Sequence, residues 1–164
     1  MTTRALIGTE APGGRYLARR VHADGYPQAI LPVLCAVVHQ VHGGDLTAAV
    51  NALTATHWSS LRHPAALTGP GVAIGTPSDI NGVAHAGRLD EAYAGDQEWA
   101  YLFAGHRIHG YVLVHRPGYR LAYVALHCWY VHDLPTVSDA ELRAVQQSGY
   151  LRRRTETYST RGQR

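Results

Sequence analysis

The chain contains no lysine, although its 164 residues include fifteen arginines. It also has one phenylalanine, one methionine and two cysteines. All fifteen positively charged side chains, with histidine taken as neutral, are arginine, and alanine and glycine are abundant. This composition indicates a GC-rich gene, so the arginine count alone says little about function. Two cysteines, Cys35 and Cys128, are too few for a disulfide framework or a cysteine-based metal site, and we expect both to be small core residues.

Long apolar runs are also missing. Arg4 and Glu10 interrupt the first apolar segment, which argues against a secretory leader, and no stretch approaches the roughly 18 apolar residues of a membrane-spanning helix. The length fits one domain. We therefore expect one cytoplasmic α+β domain over residues 1–151, with no membrane association.

Positive charge is concentrated at the end of the chain. Residues 151–164 hold five arginines against one glutamate, whereas the rest of the chain carries a net charge of −1. We predict a basic C-terminal tail over residues 152–164, in which Arg152, Arg153 and Arg154 bind a macromolecular partner or the phosphates of a nucleic acid. The alternative is a solvated chain end without a partner.

Apolar periodicity predicts an α+β fold. Period-two alternation predicts five strands, at residues 4–10, 16–24, 98–104, 107–115 and 120–131. Helical spacing predicts three helices, over residues 31–42, 46–61 and 138–149. We therefore expect an antiparallel sheet of about five strands with three helices mainly on one face, in the order ββαα, long loop, βββα.

Single residues mark the ends of these elements. Pro32 either delays the start of the first regular helix or kinks that helix. Asp45 is placed to cap the second helix. Ser138 and Glu141 form a capping box for the third, and Gly149 is placed to end it.

Two features of the late strands can be predicted in more detail. The strand at 98–104 is apolar at every position but its first, so we expect it to be central and buried on both faces. If Pro117-Gly118 is a two-residue turn, paired residues have numbers that sum to 235, and His109 lies opposite Leu126. His109 and His127 then point to opposite faces of the sheet.

The segment 62–97 has no clear periodicity and is rich in glycine and proline. Connections of this length without secondary structure are uncommon in compact domains, and many of them are functional lids or disordered segments. The segment is partly apolar, so we interpret it as a long loop or lid rather than as a simple linker.

The turn after the second strand carries the best candidate for chemistry. In the string His22-Ala23-Asp24-Gly25-Tyr26-Pro27, His22 and Asp24 lie two residues apart and share one face of the predicted strand. A carboxylate beside an imidazole can orient it as a general base, and the pair can also bind a divalent metal. We predict His22 and Asp24 as catalytic residues and Tyr26 as a binding residue. The alternative is a tight Asp-Gly turn with His22 as a hydrogen-bonded neighbour.

Eleven histidines invite a search for metal sites. The spacing offers no HExxH, Cys-x-x-Cys or His-x-His motif, and His39 and His42, three residues apart on one predicted helix, are the nearest approach to a chelating pair. The sequence therefore assigns no metal ligand and leaves any cofactor unknown.

Three short strings carry a resemblance. The opening Met1-Thr2-Thr3-Arg4, the turn His22 to Pro27 and the strand Glu98 to Phe103 together resemble small uncharacterised proteins carried by actinobacteria and their phages. The resemblance covers about a third of the chain. It implies at most an accessory role on a mobile element or in a host–virus contest, and it brings no catalytic residues.

Two functional hypotheses remain open. The first is a small cytoplasmic binding or accessory protein, related to a mobile element, that engages a macromolecular partner or nucleic acid. The second is a hydrolase or transferase for a small molecule or nucleotide, with a His22/Asp24 site, metal-assisted or metal-free, under the 62–97 lid. The missing catalytic motif favours the first, and the histidine count favours the second. The oligomeric state stays open.

Overall fold

The computed structural model describes residues 3–79, 82–92, 97–117 and 120–161. The strands are β1 Ala5–Ala11, β2 Arg15–Val21, β3 Trp58–Leu61, β4 Gly75–Pro77, β5 His85–Arg88, β6 Trp99–Ala104, β7 Arg107–Arg116 and β8 Arg120–Tyr130. The α-helices are α1 Pro27–Ala36, followed by a π-helical turn at Val37–Val41, α2 Leu46–Leu53 and α3 Asp139–Arg161. Short 3₁₀ turns occupy Pro64–Ala66 and Val131–Thr136. The predicted α+β class is confirmed.

The strands form one mixed sheet of eight strands. Its order is β4-β3-β2-β1-β6-β7-β8, and β5 pairs with β2 beside β3. β1 runs parallel to β6, and β2 runs parallel to β3. The prediction of a purely antiparallel sheet of about five strands was therefore wrong. The physical reason is the long connection after β2, which contains two helices and lets β3 begin beside the end of β2 and continue in the same direction.

The additional strands arise in segments predicted as helix and loop. Asp45 caps α2 as predicted, since its carboxylate accepts from the Ala48 N–H at 3.0 Å. The helix ends at Leu53 rather than residue 61, because the Trp58 indole N–H donates to the Leu53 carbonyl at 2.8 Å and the chain turns there into β3. The segment 62–97 then adds β4 and β5.

The three α-helices cover one face of the sheet, which we call the helix face. Its buried cluster includes residues from all three helices and from the central strands, among them Ile30, Leu34, Val38, Leu53, Leu142, Trp99, Tyr101 and Trp129. β6 is central and almost entirely buried, as predicted. No helix in the described ranges combines the length and apolar character needed to cross a membrane.

The start of the predicted helix at 31–42 and the end of the predicted helix at 138–149 were wrong. α1 begins at Pro27 and runs through Pro32, so the alternative of a regular helix that starts only at about Leu31 was wrong. Ser138 Oγ accepts from the Glu141 N–H at 3.2 Å, as the capping box predicts. α3 nevertheless continues through Gly149 to Arg161. Gly149 is needed for packing instead, because a Cβ there would overlap the Trp99 ring.

The opposite face, which we call the open face, is concave. Tyr16 on β2 and Tyr123 on β8 lie four strand positions apart, roughly 19 Å in a flat sheet. Their ring centroids are only 6.0 Å apart. A strap, residues 85–92, links β2 to the edge strand β8, since it pairs with β2 through β5 and bridges to β8 at Leu121. The buried cluster enclosed by this curl is Leu6, Tyr16, Ala18, Ala100, Leu102, Tyr111, Leu113 and Tyr123.

The β7–β8 register differs from the prediction. His109 pairs with Cys128 rather than Leu126. Next to the turn, the numbers of paired residues sum to 236 instead of 235, and an irregularity after Gly110 shifts the register by one further residue. His127 pairs with Gly110, so His109 and His127 lie on opposite faces, as predicted. The predicted turn residue Gly118 lies outside the described residues.

Candidate functional site

His22 and Asp24 do not share a strand face, contrary to prediction. β2 ends at Val21, and Asp24 adopts a left-handed backbone with φ of 55°, which breaks the alternation. The His22 N–H donates to the Trp58 carbonyl at 3.0 Å, continuing the pairing of β2 with β3. The catalytic role of His22 and Asp24 stays a prediction.

Asp24 and Tyr26 instead line a groove between α1 and the chain at residues 60–64. Its volume of about 510 Å³ lies within the range of small-molecule sites. Arg62 and His63 add polar groups from the segment after β3, whereas the α1 wall is largely apolar. His22 is not among the residues that line this groove.

A buried histidine, His57, lies near His22 but has a structural role. Its Nδ1 accepts from the Arg20 backbone N–H at 2.9 Å, so Nε2 carries the proton and donates to the Val83 carbonyl at 3.2 Å. Burial lowers the pKa of His57, the Val83 carbonyl opposes this, and the positive charges of Arg19, Arg20 and His22 lower it further. A neutral His57 therefore joins β2 to the segment before the strap.

The arginines predicted as a binding tail lie on α3. Arg153 forms a part-buried ion pair with Glu98 at the start of β6. Arg152 donates to the Ala125 carbonyl at 3.2 Å and pairs with Glu156. Two of the three side chains thus tie α3 to the sheet, while Arg154 is exposed. Their binding role stays a prediction.

A polar cluster of Glu10, His109 and Tyr111 lies on the open face. It was not predicted from the sequence. The Glu10 carboxylate accepts a hydrogen bond from His109 Nδ1 at 2.6 Å and another from the Tyr111 hydroxyl at 3.1 Å. The His109 and Glu10 side chains are 28% and 22% exposed, so the pair is accessible but partly desolvated. Burial and the Glu10 charge raise the pKa of Tyr111, which keeps its hydroxyl a donor.

The hydrogen bonds determine the His109 tautomer. An ionised Glu10 can only accept, so the proton of a neutral His109 lies on Nδ1. Nε2 then carries the free lone pair, and this is the nitrogen that can take a proton from another group. The cluster therefore has the geometry of an oriented general base.

Three further side chains share this face beside His109. Strand pairing places Cys128 directly opposite His109, and Tyr130 opposite Arg107. The Arg107 guanidinium lies 4.9 Å from the centre of the Tyr130 ring and donates to its hydroxyl at 3.0 Å. Cys128 is exposed, so its prediction as a core residue was wrong.

Within the described ranges, no group of three or more histidine, cysteine, aspartate or glutamate side chains is placed to hold a metal ion. His39, considered as half of a chelating pair, instead bonds through Nε2 to the Val131 carbonyl at 2.9 Å. Comparison of the chain with protein-family models, with curated proteins and with solved structures finds no match.

Part of the open-face cluster had a signal in the sequence. His109 and Tyr111 are two apart on a strand, so alternation puts them on one face. Glu10 joins them only because β1 lies parallel to β6, which in turn pairs with β7. No local pattern encodes that parallel pairing.

Proposed function

We propose that the protein is a hydrolase or transferase for a small molecule or nucleotide, with His109 as the general base. The observation that supports this most strongly is the 2.6 Å hydrogen bond between His109 Nδ1 and the Glu10 carboxylate. A carboxylate in this position fixes the ring orientation and stabilises the imidazolium that forms when Nε2 takes a proton.

The surroundings of the pair support the same role. Tyr111 donates to the carboxylate oxygen that His109 also binds, so Glu10 is held by two donors. Partial burial strengthens these interactions relative to water, while the remaining exposure admits a substrate. His109 is therefore the group that touches the reacting atoms, and Glu10 and Tyr111 are positioning residues.

The test uses chromogenic carboxylate esters and phosphate esters with the wild-type protein, His109→Gln and Glu10→Gln. We expect His109→Gln to lower kcat/KM by about 10²–10⁴, the usual contribution of general base catalysis. We expect Glu10→Gln to cause a smaller loss and to change the pH profile, since the carboxylate acts through the imidazole.

His127→Gln is the matched control, because His127 also lies near a glutamate, Glu141, but on the helix face. It should retain wild-type activity. Equal activity in His109→Gln and wild type, or no wild-type activity on either ester class, contradicts the proposal.

A second candidate function is binding of a macromolecular partner, and the groove beside α1 favours it. An apolar wall with Asp24, Tyr26, Arg62 and His63 around it suits a peptide segment that carries both charged and apolar groups. NMR titration with a short-peptide library should shift α1 amide signals in the wild type but not in Tyr26→Ala. Binding that leaves the α1 signals unchanged contradicts this candidate.

A further inference from the structure

Cys128 and His109 are neighbours across two strands. Directly paired residues in an antiparallel sheet have Cβ atoms roughly 4.5–5.5 Å apart and point to the same side. His109 Nδ1 is engaged by Glu10, so only Nε2 can accept a proton from an adjacent group. Cys128 is exposed, and it is close enough to Tyr111 for its charge to affect that hydroxyl.

The other cysteine differs in every one of these respects. Cys35 is partly buried on α1 and packs against the helix-face cluster. Burial raises the pKa of the Cys35 thiol, which disfavours the reactive thiolate. The chain thus provides an internal reference thiol for any test of Cys128.

We propose that Cys128 is a nucleophile activated by His109 and that the substrates are acyl compounds, esters or thioesters. This inference rests on the proposed function and narrows it to acyl transfer. Cys128, His109 and Glu10 then act as nucleophile, base and orienting carboxylate, the arrangement by which thiols are activated for acyl chemistry.

The reaction balances without an oxidant or reductant. The Cys128 thiol proton passes to His109 Nε2 as sulfur bonds to the carbonyl carbon and the carbonyl electrons move onto oxygen. Collapse of this intermediate expels the alkoxide or thiolate leaving group, which takes the proton from His109 and leaves an S-acyl Cys128. His109 then deprotonates water, which cleaves the acyl–sulfur bond and restores the thiol.

Arg107 is placed to assist the first step. It lies two pairs along from His109 and Cys128, which puts it on the same face, where it contacts Tyr130. A guanidinium next to the thiol favours the thiolate and the oxygen anion that develops on the carbonyl. The open face therefore carries a positive charge on the same side of the sheet as the nucleophile.

The experiment treats the protein with p-nitrophenyl acetate, quenches with acid and locates acetyl groups by tandem mass spectrometry. Four variants accompany the wild type: Cys128→Ser, Cys35→Ser, His109→Gln and His127→Gln. We expect acetyl on Cys128 in the wild type, Cys35→Ser and His127→Gln. We expect at least tenfold slower acetylation of Cys128 in His109→Gln. Acetylation confined to Cys35, or of Cys128 at an unchanged rate in His109→Gln, overturns the inference.

The hydrolysis rates of the same variants separate this inference from the proposed function. Loss of hydrolysis in both Cys128→Ser and His109→Gln supports both. Wild-type hydrolysis in Cys128→Ser with loss in His109→Gln overturns the inference but retains His109 as a base that activates water. Wild-type hydrolysis in both variants overturns both. Because Cys128 is exposed, its replacement by serine should not disturb folding, and circular dichroism checks this.

Discussion

The two faces of the sheet each carry a histidine near a glutamate, with different surroundings. On the helix face, His127 Nε2 and the Glu141 carboxylate are 3.9 Å apart, the side chains are 38% and 46% exposed, and the imidazole lies against Trp129. On the open face, His109 and Glu10 are 2.6 Å apart, less exposed, and joined by Tyr111. The comparison teaches that residue type alone does not make a site: a second donor and partial burial hold the pair on the open face.

The faces differ in their cores as well. The helix face buries side chains from three helices, whereas the open face has a smaller cluster enclosed by sheet curvature and the strap. Stability therefore depends mainly on the helix face. The open face carries partly exposed polar side chains, among them His109 and Glu10.

The largest expected effect compares one fully buried leucine from each face. Leu34→Ala on the helix face should lower the free energy of unfolding by about 3–5 kcal/mol, and Leu102→Ala on the open face by about 2–3 kcal/mol. Both side chains are buried, but the smaller open-face cluster can relax more around a cavity. Chemical denaturation measures both, and an equal or larger loss in Leu102→Ala breaks the comparison.

The next effect probes packing on the helix face. Gly149→Ala should destabilise the protein by about 1–3 kcal/mol, because the new methyl group overlaps the Trp99 ring. At an exposed position inside a helix, replacing glycine by alanine instead raises the free energy of unfolding by roughly 0.5–1 kcal/mol. The exposed neighbour Ser148→Ala is the control and should change stability little. A stabilised Gly149→Ala would show that α3 does not pack on the sheet as described.

A third effect concerns the attachment of the strap that covers the open face. The lowered pKa of His57 means that this side chain takes up its proton near pH 6.5 in the unfolded chain but only at lower pH in the folded protein. The free energy of unfolding therefore falls on acidification below about pH 6.5. His57→Gln should reduce this slope, whereas exposed His132→Gln should retain it. Equal slopes in wild type and His57→Gln would contradict this role.

The smallest effect concerns the arginines of α3. Arg153→Gln removes the part-buried ion pair with Glu98 and should cost up to about 1 kcal/mol. Arg154→Gln should change stability within about 0.5 kcal/mol, because the side chain is exposed. Thermal unfolding of the two variants at equal salt compares them. A reversed order would favour the prediction of Arg153 as a binding residue over a structural one.

Local patterns predicted much of the fold. Alternation located β1, β2, β6, β7 and β8, and capping residues such as Asp45 and Ser138 were placed correctly because they act within one turn of chain. Gly149 was misinterpreted as a helix end because its contact partner, Trp99, is distant in sequence. β3 was missed because the apolar spacing through residue 61 also fits a helix. β4 and β5 were missed because they are short and lie in a segment without clear periodicity.

The candidate site was less accessible to sequence reasoning. His22 and Asp24 were predicted from their proximity along the chain, but β2 ends at Val21 and the left-handed backbone at Asp24 breaks the strand alternation on which the prediction depended. Glu10 and His109 are 99 residues apart, and only the parallel pairing of β1 with β6 brings them together. Pairing between distant strands depends on the whole sheet, so no short motif reveals it.

The most direct test of the open-face site is ¹⁵N NMR of the histidine side chains, comparing His109 with His127 at neutral pH. The account predicts that neutral His109 carries its proton on Nδ1, hydrogen-bonded to Glu10, and that Glu10→Gln weakens this preference while leaving His127 unchanged, because an amide oxygen is a weaker acceptor than a carboxylate. A His109 protonated on Nε2, or a spectrum that Glu10→Gln does not alter, would contradict the oriented base on which the proposed function rests.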